Sequence, residues 1–123
     1  METGLAEVLL GYRVDPCVGP VVAVGLGGTL AEIYLDFAVR MAPVSLADAE
    51  AMIAEVRGLA PLGGYRKLPR GDLGALAHAI RAVSDFARLP DGLVRVAEIN
   101  PLIVKEDGVV AVDALIVGPE AGG

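Results

Sequence analysis

The sequence has 123 residues, 54% of them hydrophobic and only 4% aromatic, a mean hydropathy of +0.61 and a net charge of −6, which together predict one compact domain with an aliphatic core and exclude intrinsic disorder. Ten Lys plus Arg against sixteen Asp plus Glu is the wrong balance for neutralising a phosphodiester backbone, so no nucleic acid is expected as a partner. The uncharged stretch from Pro16 to Ala31 is too short and too interrupted by Gly and Pro to span a bilayer, and the acidic N-terminus lacks a signal peptide's basic region, so neither membrane nor secretion is expected.

A lone Cys17 cannot close an internal disulfide, and with a single His78 it cannot build a His/Cys zinc site. A reducing, cytoplasmic compartment is expected, and any metal must be held by oxygen.

In chain order, Ala6–Leu10 and Val21–Val24 read as two buried strands joined by a loop over Gly11–Pro20, with turn signals at Asp15-Pro16 and Gly19-Pro20. From Leu30 to Met41 apolar and polar residues alternate. That period predicts one long strand or a hairpin, with Glu32, Asp36 and Arg40 on one face. Ser45-Leu46-Ala47-Asp48 resembles a capping box opening a helix whose stripe is Ala49, Met52, Ile53, Val56 and Ala60, stopped near Gly58. A loop over Leu59–Arg70 carries Arg66, Lys67 and Arg70. The second helix starts near Asp72, with Leu73, Leu76, Ala77, Ile80, Val83 and Ala87 as its stripe. Two apolar runs, Val94–Val104 and Val109–Val117, flank Lys105-Glu106-Asp107-Gly108 and predict a hairpin. Residues 118–123 read as a loose tail. The expected fold is α+β: a single domain over 1–123, an antiparallel sheet with two helices on one face.

Asp113 is the only charge in Val109–Val117, a run apolar on both faces, where a carboxylate is costly to bury unless paired, hydrogen-bonded or bound to metal. A two-residue turn would set Leu102 opposite Asp113, and a four-residue loop would set Asn100 there. Either register leaves Glu98, Asn100 and Asp113 on one face. Hard oxygen ligands on a rigid hairpin, with coordination left over, suit Mg²⁺ completed by phosphate oxygens, and hence a nucleotide. The competing reading pairs Asp113 with an arginine such as Arg40. Pro101 implies an edge or a bulge. Gly25-Leu26-Gly27-Gly28 fits a bulge or turn and also a backbone approach to phosphate; it is neither a P-loop nor GxGxxG. His78 falls on a polar helix face, and Cys17 in a plain loop.

Taken together, Glu7-Val8-Leu9-Leu10-Gly11, Asp15-Pro16 with Gly19-Pro20, Gly25-Leu26-Gly27-Gly28, Glu32, Asp36, Arg40 with Pro43, Gly64-Tyr65-Arg66, Glu98-Ile99-Asn100-Pro101-Leu102 and Asp113 form an ordered series. The series resembles the ATP-grasp domain of NDP-forming acyl-CoA synthetases (acetate–CoA ligase, ADP-forming), relatives of the succinyl-CoA synthetase β subunit, over about residues 5 to 117. Val18, where the family often has Phe, and Lys67, where it often has Gly, depart from it.

The resemblance implies a ligase that interconverts acyl-CoA, ADP and phosphate with a carboxylic acid, CoA and ATP through a phosphohistidine. It implies Mg²⁺ and ATP or ADP as cofactors, Asn100 and Asp113 as metal ligands, Gly27 and Gly28 near the nucleotide, and Glu98 near the incoming phosphohistidine or on the metal. The chain matches the C-terminal half of the ATP-grasp domain. The implied partners are the N-terminal half and a CoA-binding, phosphohistidine-bearing domain, in the same enzyme or a partner subunit, and this chain alone is expected to be inactive. A non-catalytic partner-binding module on the same fold is the alternative.

Overall fold

The computed structural model describes residues 4–27, 36–63, 70–90 and 93–119. Among them six strands form one antiparallel sheet: β1 (Ala6–Asp15), β2 (Gly19–Leu26), β3 (Phe37–Met41), β4 (Val96–Val104), β5 (Val109–Ala111) and β6 (Ala114–Val117). The order is β3-β2-β1-β4-β5, and β6 also pairs with β4. Among the described residues two helices, α1 (Leu46–Glu55) and α2 (Leu73–Ser84), cover one face. The α+β expectation therefore holds.

The core follows from alternation along the strands. Val8, Leu10 and Tyr12 of β1, Val22 and Val24 of β2 and Ala38 of β3 are buried with Ala49, Met52 and Ile53 of α1 and Leu76, Ala77, Ile80 and Val83 of α2 in a single cluster. Among the described residues the opposite face has no such cover. There Phe37, Val39 and Met41 of β3 are exposed.

Several local expectations are corrected. Gly11–Pro20 is mostly strand: β1 continues to Asp15, and only residues 16–18 turn before β2. The Asp15 carboxylate accepts from the N–H groups of Cys17 and Val18, and Gly19 takes φ +91°, so the chain reverses within a tight turn. Of the strand read over Leu30–Met41, only Phe37–Met41 is β3; residues 28–35, with Gly28 and Glu32, lie outside the described residues. Asp36 precedes β3 and accepts from the N–H groups of Arg57 and Gly58. Those two bonds start a 3₁₀ turn over Arg57–Gly63, so α1 stops at Glu55 and Gly58 is no helix stop. A Cβ at Gly58 would lie 2.1 Å from Leu26 Cδ1, which is why glycine stands there. Ala60, on that turn, is exposed and leaves the expected stripe.

The Ser45–Asp48 cap is as expected, and the structure adds a second cap at Asp72. Ser45 and Asp48 bond reciprocally in a capping box on α1. The Asp72 carboxylate caps α2 through the Ala75 N–H at 2.9 Å and also accepts from the Gly108 N–H at 2.8 Å, tying the helix to the β4–β5 turn. Ser84, fully buried, accepts from the Val44 N–H and donates to the Arg81 carbonyl, so its hydroxyl carries no unmet hydrogen bond.

The Ala75 bond first, then the Gly108 bond, hold the Asp72 carboxyl below its ordinary value. Because the folded-state value is depressed, its contribution is present above the unfolded carboxylate value near ~4 and is lost as pH falls through the folded value. Thermal melts of wild type and Asp72→Asn are therefore expected to differ most at neutral pH and to converge as pH falls below about 4. A gap of constant size across that range would defeat the assignment.

Candidate metal and nucleotide site

The terminal hairpin adopts the four-residue loop. Leu102 pairs with Ala111 and Val104 with Val109, and the same register continues through Ile99 with Ala114 and Glu98 with Leu115. Asn100 thus stands opposite Asp113, and its N–H donates to the Asp113 carbonyl at 3.0 Å.

The inner side of β4 carries an irregularity that decides where these residues point. Val8 pairs with Leu102 but Leu10 pairs with Ile99, so Leu9 alone faces both Asn100 and Pro101. This is a two-against-one β-bulge, at the position where Pro101 implied an edge or a bulge. One extra residue reverses the alternation. Leu102 and Val104 face the core beyond the bulge, and Ala97 and Ile99 face it before, which leaves Glu98 and Asn100 on the uncovered face. Without the bulge, an unbroken alternation from Leu102 would turn both toward the helices.

Glu98, Asn100 and Asp113, with Ala114 and Leu115, line one open cleft of about 230 Å³. Glu98 is half-buried; Asn100 and Asp113 are exposed. No hydrogen bond or ion pair from another described residue engages their side chains, so among the described residues nothing competes for the two carboxylates and the amide that line the cleft. An all-oxygen donor set on one rigid hairpin fits a hard cation that keeps several waters, as Mg²⁺ does.

Two premises of the sequence argument are corrected. Asp113 is not buried in an apolar strand: it lies between β5 and β6, and Leu115, Ile116 and Val117 beyond it are 56%, 60% and 43% exposed. Among the described residues β6 is an edge strand with no helix over it, so burial cost does not account for Asp113. Arg40 is not its partner either, because Arg40 pairs with Glu55 of α1.

Gly27 follows β2 and does not line the cleft. Its N–H donates to the Glu7 carbonyl at 2.8 Å, and a Cβ there would sit 3.3 Å from that oxygen. Gly28, Arg66 and Lys67 lie outside the described residues. Arg70 donates from Nε and Nη2 to the Gly63 carbonyl, joining the two chain segments that flank residues 64–69. His78 and Cys17 are exposed, as read. Reading Gly11–Pro20 as a loop also hid Gly11 and Arg13. Alternation of Val8, Leu10 and Tyr12 inward would have placed Leu9, Gly11 and Arg13 on the same face as Glu98.

An antiparallel sheet with two helices on one face and an oxygen-rich hairpin on the other is the architecture of an ATP-grasp subdomain, and the ATP-grasp domain family matches residues 1–117. The chain belongs to that family. It is 38% identical over 112 residues to acetate–CoA ligase (ADP-forming) I subunit beta of Pyrococcus furiosus, covering 90% of this chain and 47% of that protein. It is 35% identical over 117 residues to acetate–CoA ligase (ADP-forming) II of Archaeoglobus fulgidus, covering 95% of this chain and 17% of that protein. Among solved structures, the dinucleotide-forming acetyl-coenzyme A synthetase 1 of Ca. Korarchaeum cryptofilum superposes with a TM-score of 0.86 at 33% identity, over 96% of this chain and 55% of that one. That structure is a complex with coenzyme A and Mg-AMPPCP, with a phosphohistidine segment pointing towards the nucleotide binding site. The chain spans about half of the P. furiosus subunit and a smaller part of the A. fulgidus enzyme. Among the described residues no helix is long and apolar enough to cross a membrane.

Proposed function

We propose that this chain is the C-terminal half of the ATP-grasp domain in an ADP-forming acyl-CoA synthetase and holds the magnesium of its nucleotide. The observation that carries this reading is the register: Asn100 directly opposite Asp113, with Glu98 on the same uncovered face. The Asn100 side-chain oxygen and the Asp113 carboxylate hold the cation, which when bound offsets the charge of the nucleotide phosphates. Glu98, at the rim of the same cleft, faces the incoming phosphohistidine or supplies a third oxygen. Gly27 and Gly28 open the segment after β2 and border the nucleotide. The N-terminal ATP-grasp half, a CoA-binding domain with the phosphorylated histidine, CoA and a small carboxylic acid complete the reaction, in a cytoplasmic enzyme.

The chain contains one histidine, His78, on an exposed polar face of α2. Assayed as sole protein with acetyl-CoA, ADP and phosphate, it is expected to form no ATP; ATP formation would overturn the reading. Titration with Mn²⁺ in place of Mg²⁺, in the presence of ADP, tests the site directly. Resonances of Glu98, Asn100 and Asp113 are expected to broaden first. Broadening that begins elsewhere, for example at Asp48 or Glu50 of α1, would remove the assignment.

A further inference from the structure

A glycine inside a strand weakens it, and its presence calls for a reason. For most described strand and turn glycines the reason is visible. Gly19 and Gly108 have φ +91°, and a Cβ on Gly25, Gly58 or Gly4 would lie 2.6, 2.1 or 2.4 Å from a neighbouring side chain. Gly11, in the middle of β1, has neither reason. Its φ is unremarkable for an L-residue, and a Cβ there would meet only Leu9 Cδ2, at 4.0 Å. The packing of the described residues would accept a side chain at this position.

Its location suggests what would not. Gly11 pairs directly with Glu98, so it lies on the uncovered face one strand in from the cleft, about 4.8 Å away across the sheet. Two residues along the same face stands Arg13, whose side chain is 66% exposed and, among the described residues, pairs with Asp15 alone, at 3.2 Å. Such a surface pair is worth little and opens readily. Tyr12, between them, points into the core. Beside the acidic cleft there is thus a place where the backbone can be approached closely, flanked by a guanidinium, the group best suited to phosphate oxygens.

We infer that Gly11 and Arg13 form a phosphate seat next to the cleft: Gly11 is the bare floor over which a phosphate group of a magnesium-bound nucleotide passes, and Arg13 is its cationic flank. This rests on the reading of the cleft as a magnesium–nucleotide site and extends it to two residues of β1. A side chain at Gly11 would hold the phosphate away from Glu98, whereas the backbone N–H groups, already used in the ladder, contribute shape and no hydrogen bond.

The test is a titration of the isotope-labelled chain with Mg²⁺ and ADP, followed by NMR. In wild type, shifts are expected at Gly11 and Arg13 together with Glu98, Asn100 and Asp113. Gly11→Val is expected to raise the apparent Kd roughly tenfold or more, and Gly11→Ala to raise it less, since a well-placed steric block removes binding out of proportion to its size. The melting temperature should hold or rise, because valine favours strands. Arg13→Ala should raise the Kd and flatten its salt dependence. Equal affinity in wild type and Gly11→Val, with the cleft residues still responding, would remove the seat and leave the cleft reading intact. A wild-type chain whose cleft residues do not respond to Mg²⁺ and ADP would remove both. Loss of folding in Gly11→Val and Gly11→Ala alike would show that the fold itself requires glycine, and would also overturn the inference.

Discussion

Replacing Asp113 with asparagine in the complete enzyme proposed above is expected to lower Mg²⁺-dependent turnover by roughly a hundredfold or more, since even residues one step behind a metal ligand change affinity or activity by ~10- to 100-fold. The substitution keeps size and one oxygen but removes the charge that offsets the cation. Asp113 is exposed and its side chain bonds to no other described residue, so the fold should not notice. Circular dichroism and the melting temperature of the variant should match wild type, which separates loss of a ligand from loss of structure. Raising the Mg²⁺ concentration should recover part of the activity, because the defect is one of affinity. Unchanged turnover at limiting Mg²⁺ with the fold intact would remove Asp113 from the metal site. Asn100→Ala should act in the same direction with a smaller effect, as it takes away a neutral oxygen.

Leu10→Ala is expected to destabilise the domain by about 3 kcal/mol, the usual cost of a large-to-small change in a packed core. Leu10 is fully buried in the middle of β1, the central strand with β2 and β4 on either side, and it packs in the cluster shared by both helices. Against a total stability of about 5 to 15 kcal/mol this is a large fraction, and the melting temperature should fall by roughly 10 °C. Ile116→Ala provides the contrast. That side chain is 60% exposed on the edge strand β6, and its removal should change stability by no more than about 0.5 kcal/mol. Urea melts of both variants check the pair, and comparable losses would mean that β6 is covered in solution.

Much of the fold was legible in the residues themselves because its signals are local. The Ser45–Asp48 capping box, the stripe from Leu73 to Val83 and the turn chemistry of Lys105–Gly108 each depend on neighbours within a few positions, and each is found where it was read. Grouping Glu98, Asn100 and Asp113 on one face needed only the parity of a hairpin, which either loop length preserves. Three matters depended on contacts distant in sequence. Whether Asp113 is buried depends on what covers β6, and nothing among the described residues does. Whether Glu98 and Asn100 face the core or the uncovered side depends on a bulge defined against β1, since it is Leu9 that meets two residues at once. The end of α1 depends on Asp36, which reaches from the start of β3 to the Arg57 and Gly58 N–H groups. Sequence alone indicated most of the elements and grouped Glu98, Asn100 and Asp113 on one face, because propensity and period act over a few residues; tertiary structure decided burial and facing, because both are properties of pairs that the chain brings together only when folded.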